Sequence, residues 1–150
     1  MEQTGMSETI EPLVYPCAKT IQIEGVDIEA GLRNCNNCMD VYLEVLDSFM
    51  EDVHSKVQEL KPLAKRTFIQ WNEADLHLLS RVVHAIKGVS AIIGARILLK
   101  KTIDLETAIK TGCTDTIAKD FPEFFQDLKT ITERIHSVLQ TTEKSAPAEE

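Results

Sequence analysis

Apolar positions recur along most of this chain at intervals of three and four residues and seldom alternate in strand fashion, so the pattern predicts an all-α protein. From about Met39 to Leu60 the stripe is Tyr42, Val45, Leu46, Phe49, Val53, Val57 and Leu60, and Pro62 is expected to stop that helix. The next helix should start after Asn72, a good N-cap, and run toward Gly94 with Leu76, Leu79, Val83, Ile86, Ser90 and Ile93 inward. A further one, from about Ala95 to Thr111, carries Leu98, Leu105, Ala108 and Ile109 inward and closes at Gly112. Asp120, with Glu123 three residues on, suggests a capping box for a last helix striped by Phe121, Phe124, Phe125, Leu128, Ile131, Ile135 and Val138.

Ahead of these, a short helix is expected over Ile28 to Arg33 with Asp27 as its N-cap, and Asn34, Asn36 and Asn37 mark a turn. Pro62 to Trp71 reads as an extended connection or one that is itself partly helical. Long amphipathic helices with short joints imply an antiparallel four-helix bundle with a short additional N-terminal helix. The bundle is expected over residues 25–140, with tails at 1–24 and 141–150, and 150 residues suffice for one core without disulfides or a structural metal.

Composition narrows the field. A net charge of −8 argues against non-specific nucleic-acid binding, which needs surplus cations. One run from Arg81 to Lys101 nevertheless holds Arg81, Lys87, Arg96, Lys100 and Lys101 with no acid, either a basic patch or chance clustering on a solvated face. No apolar run approaches the roughly 20 residues of a membrane span, and no secretory signal is evident, so no membrane is expected and the cytoplasm is the expected location. Cys17, Cys35, Cys38 and Cys113 fit a reducing compartment. Cys35 and Cys38 alone are close in sequence, but no second ligand pair completes a zinc site, and idle thiols are the plainer reading.

The chemistry concentrates on the helix before Gly94. At about 100° per residue, His84 lies more than a right angle from the core direction, near His77, Gly88 and Ala91, with Lys87 at i+3. A neutral imidazole is a competent nucleophile, and its phosphoramidate suits onward transfer. Gly88 costs a helix roughly 1 kcal/mol relative to alanine, a loss more readily tolerated where close approach is useful. A lone exposed histidine is ordinarily a surface residue, and His54, His77 and His136 are read that way.

The run from His84 to Ala95 resembles the signature of histidine-containing phosphotransfer (HPt) domains, with His84, Lys87 at +3, Gly88 at +4 and Gly94 at +10. Gly25-Val26-Asp27, Gly31-Leu32, Tyr42, Leu46, Phe49 and Leu105-Glu106 extend the similarity over roughly residues 25 to 140. The resemblance implies a phosphoryl carrier rather than an enzyme, with His84 phosphorylated, Lys87 stabilising the phosphate and Gly88 giving a receiver access. Glu106 falls where some members place a glutamine near the histidine; a carboxylate there would repel phosphate, which puts a supporting role in doubt. The implied partners are receiver domains of a hybrid sensor kinase and a response regulator, with Mg2+ on the receiver and no cofactor on this chain, which is expected to be a monomer. Partner docking is expected over Gly88 and Ala91 with Leu99 and Ile103 of the next helix. No phosphate-cradling glycine loop is present, so autophosphorylation from ATP is not expected. The rival readings are a Cys-based metal or redox helical bundle and a passive helical adaptor.

Overall fold

The computed structural model describes residues 21–145. Residues 1–20 and 146–150, including Cys17 and most of the two expected tails, lie outside the described residues. Five α-helices follow in order: α1 (Ile28–Asn34), α2 (Met39–Ala64), α3 (Glu73–Ile93), α4 (Arg96–Thr111) and α5 (Thr114–Ser145). Helices α2 to α5 run alternately up and down, each packed on the next, with α5 closing against α2, while α1 lies across one end on α3 and α2. The chain is thus the antiparallel bundle with an added short helix that its pattern predicts.

The core is built from the predicted stripes. Tyr42, Leu46, Phe49, Val53, Val57 and Leu60 of α2 meet Leu79, Val82, Val83, Ile86 and Ile93 of α3, Leu98 and Leu105 of α4, and Phe121, Phe124, Leu128 and Ile135 of α5. By length and hydropathy, α3 is the one described helix that could cross a membrane, but its apolar side is the bundle core and its other side carries Arg81 and His84.

Two expectations need correction. Pro62 does not stop α2, which continues to Ala64. Proline there forfeits only the bond to the Gln58 carbonyl, while buried Leu60 and Leu63 hold the final turn on the core and the Trp71 indole donates to the Leu63 carbonyl at 3.2 Å. The link beyond is the partly helical form of the connection, with a 3-10 turn over Phe68–Gln70; Thr67 and Gln70 cap it, and Trp71 packs edge-on to Phe68 and Phe121. Likewise α5 begins at Thr114, so Asp120 and Glu123 form no capping box, and burial of Ile117 and Phe121 carries the helix through Pro122.

The domain edges also shift. Ile21 and Ile23 are buried on the bundle although both were expected in the N-terminal tail, and α5 runs to Ser145 where a tail was expected from residue 141.

Where α1 meets α3, the fit is close. Asp27 caps α1 through the Ala30 N–H, and its own N–H donates to the Gly94 carbonyl at 2.7 Å. Gly94 ends α3 at φ 88°, and a side chain there would strike the Asp27 carbonyl. A Cβ on Gly31 would run into the Tyr42 ring and the Ile93 carbonyl, which accepts the Tyr42 hydroxyl at 2.9 Å. The Asn34 amide donates to the Ala91 and Ile92 carbonyls, so α1 satisfies carbonyls that the end of α3 would leave open.

Candidate functional site

The capping box of Asn72 and Asp75 opens α3, and Gly94 closes it, fixing the helix that presents His84. With Val83, Ile86 and Ser90 buried, the imidazole projects outward and is 75% exposed. Gly88 and Ala91 are also exposed, and beyond the helix's own backbone and the adjacent residues nothing lies within 4 Å of where a Gly88 Cβ would stand. The outward azimuth inferred for His84 from helical spacing is the one observed.

The site's third member comes from α4. Glu106 sits among Leu98, Thr102, Leu105 and Ala108 on the buried side of that helix, its side chain only 11% exposed. One carboxylate oxygen accepts the Lys87 ammonium at 2.8 Å and the other lies 3.2 Å from His84 Nδ1. The Lys87 bond, then the His84 bond, hold the Glu106 carboxyl below the usual glutamate range, outweighing the opposing effect of burial. The group is therefore a carboxylate at neutral pH.

That charge state decides the histidine tautomer. An ionised carboxylate has acceptors only, so His84 Nδ1 must carry the hydrogen it shares with Glu106. In the neutral ring the lone pair is then on Nε2, and the side chain as a whole is 75% exposed.

Lys87 is accordingly not a free cation waiting for phosphate; it is paired with Glu106 beneath the imidazole. The remaining basic residues of the run are also paired with acids: Arg81 with Glu59, Arg96 with Asp27, Lys100 with Asp104, and Lys101 with both Glu123 and Asp127. The acid-free stretch of sequence is not an unbalanced patch on the surface.

Of the expected docking residues, Leu99 is half-buried and Ile103 is 42% exposed, on the flank of α4 that also carries Glu106 and Lys110. The antiparallel pairing that sets Glu106 level with His84 sets Leu99 level with Ala91. The arrangement thus joins a nucleophilic nitrogen, a buried anion behind it, a cation balancing that anion, and open small-residue surface beside it.

A family model for the Hpt domain matches residues 44–140, a span that holds His84, Lys87, Gly88 and Glu106. The chain belongs to the Hpt domain family. Hpt domains are phosphocarrier modules rather than classical enzymes, acting with receiver domains in phosphorelays. No curated protein and no solved structure matched the chain. The Hpt match begins within α2, so the contacts of α1 with the end of α3 lie outside it.

Sequence reasoning missed the part Glu106 plays at the Hpt histidine. Helical spacing within α4 gives no signal for it, because it places Glu106 in line with the exposed Ile103 and Lys110 rather than in the inward stripe. The carboxylate is paired with Lys87, and its contact with the imidazole is to Nδ1, across the ring from Nε2.

Proposed function

We propose that His84 Nε2 accepts a phosphoryl group from an aspartyl phosphate on one receiver domain and returns it to an aspartate on another. The observation that carries this reading is the His84 Nδ1 contact with a Lys87-paired carboxylate, which leaves the lone pair of the neutral ring on Nε2.

The step balances without a proton leaving the site. As Nε2 bonds to phosphorus, the bond from phosphorus to the aspartyl oxygen breaks and the receiver recovers its carboxylate. The ring becomes a phosphorylated imidazolium that keeps its Nδ1 hydrogen on Glu106. The carboxylate faces the charge that develops on the ring, a form of stabilisation that needs no rearrangement during transfer. In the return step the same cationic ring is a good leaving group. Lys87 screens Glu106 from the incoming phosphoryl group, whose nearly two negative charges join a chain already at −8. Positioning and charge compensation are most of what phosphoryl transfer requires, and the receiver brings Mg2+ and the aspartate.

The docking face is proposed over Gly88 and Ala91 with Leu99 and Ile103, small and apolar positions around His84. The partners in this reading are receivers of a hybrid sensor kinase and of a response regulator, met by a monomeric carrier in the cytoplasm. The experiment is incubation with a phosphorylated receiver: acid-labile, alkali-stable label on this chain supports a carrier, whereas binding without label would leave the adaptor reading.

A further inference from the structure

Phosphotransfer makes no use of the Cys35 and Cys38 thiols, which flank the turn between α1 and α2. At the end of α1 the Asn37 N–H returns to the Leu32 carbonyl at 2.7 Å. Asn36 and Asn37 both take positive φ, 56° and 58°, and the Cys38 N–H closes onto the Cys35 carbonyl at 3.0 Å. Two consecutive positive φ values inside such a bond are the pattern of a type I′ turn, which asparagine tolerates better than most residues. A turn of this kind holds its first and fourth Cα within about 7 Å, and disulfides span about 4.4–6.8 Å between Cα atoms. The turn thus brings the two Cα atoms into the range that a bridge between these residues needs.

The two thiols differ in access. Cys35 is 6% exposed and belongs to the core, whereas Cys38 is half-exposed. Burial, then the neighbouring Cys38, pushes the Cys35 thiol above its usual range, consistent with two sulfurs close enough to interact. Cys38 occupies the N-cap of α2, but its side chain makes no capping bond, so joining its sulfur to another removes no hydrogen bond from the helix. Among the described residues no cluster of three His, Cys, Asp or Glu side chains could hold a metal, so the pair has no third ligand there.

We propose that Cys35 and Cys38 form a reversible disulfide site, closed by exchange with a small-molecule disulfide. The Cys38 thiolate attacks one sulfur of the reagent and expels a thiolate, leaving a mixed disulfide. Cys35 then loses its proton to solvent and attacks the Cys38 sulfur, expelling the second thiolate. Two protein thiols are oxidised by two electrons, and one small disulfide is reduced to two thiols. The bridge would sit one residue from Asn34, whose amide caps the end of the His84 helix.

The test uses the full chain carrying Cys17→Ser and Cys113→Ser, incubated with glutathione disulfide, digested with trypsin and weighed. The segment between Arg33 and Lys56 should become two hydrogen atoms lighter and lose both alkylatable thiols, which dithiothreitol restores. Adding Cys35→Ser should halt the reaction at a glutathione adduct on Cys38. A persistent glutathione adduct with Cys35 still free, disulfide-linked dimers, or two thiols that stay alkylatable would each overturn the proposal.

Discussion

Glu106 stands on α4, yet it holds His84 of α3 by Nδ1 at 3.2 Å, and its second oxygen holds Lys87 at 2.8 Å. The imidazole is thereby tied to a different helix from the one that carries it.

Glu106→Gln keeps the shape and can still accept from Nδ1, but it removes the charge that faces the phosphorylated ring. A charge-assisted bond exceeds a neutral one by on the order of 1 kcal/mol, so phosphotransfer should slow roughly fivefold. Glu106→Ala, which also frees the ring, should slow it further. Rapid-quench transfer rates measure this, and equal rates for wild type and Glu106→Gln would remove the carboxylate from the mechanism.

The outward turn of His84 and the small residues beside it were legible because helical periodicity fixes azimuth once Ile86 and Ser90 are placed inward. What α4 contributes was not, since periodicity within one helix says nothing of which residue on a neighbour faces it. Pro62 misled for a related reason: a proline removes one local hydrogen bond, and buried neighbours such as Leu60 and Leu63 offset that loss through contacts absent from the local sequence. The caps at Asp27, Asn72, Gly94 and Gly112 were readable because they depend on nearest neighbours alone.

Acid should weaken the fold through Glu106. Its folded pKa lies below the ordinary value of 4.5, so the stabilisation it gives is fully present above that value and is lost as pH falls through the lower folded one. Unfolding of wild type and Glu106→Gln followed from about pH 6 to about pH 3 should show a stability gap that closes on the acid side. A gap unchanged by pH would contradict the ionised pair.

Gly88→Gln should separate docking from folding. Beyond the helix's own backbone and the adjacent residues no atom lies within 4 Å of the added Cβ, and glutamine is the better helix former by roughly 0.5–1 kcal/mol, so the melting temperature should hold or rise. Transfer from a receiver should fall, because the longer side chain stands beside His84 where the aspartate must approach. Thermal unfolding and transfer rate on the same preparation decide it; normal transfer in a stable variant would place the partner elsewhere.

The Ser90 hydroxyl is fully buried and has no hydrogen-bond partner among the described residues. Ser90→Ala should therefore raise stability by about 1 kcal/mol, read from urea unfolding, and leave transfer unchanged because Ser90 faces the core, away from His84. A less stable Ser90→Ala would mean that the hydroxyl is satisfied within the folded protein.

The central claim is that His84 alone carries the phosphoryl group. Wild type, His84→Gln and His77→Gln are incubated with a labelled phospho-receiver, and the label on each chain is counted after alkali and after acid. The account predicts alkali-stable, acid-labile label on wild type and His77→Gln and none on a fully helical His84→Gln. Full labelling of His84→Gln, or its loss in His77→Gln, would contradict it.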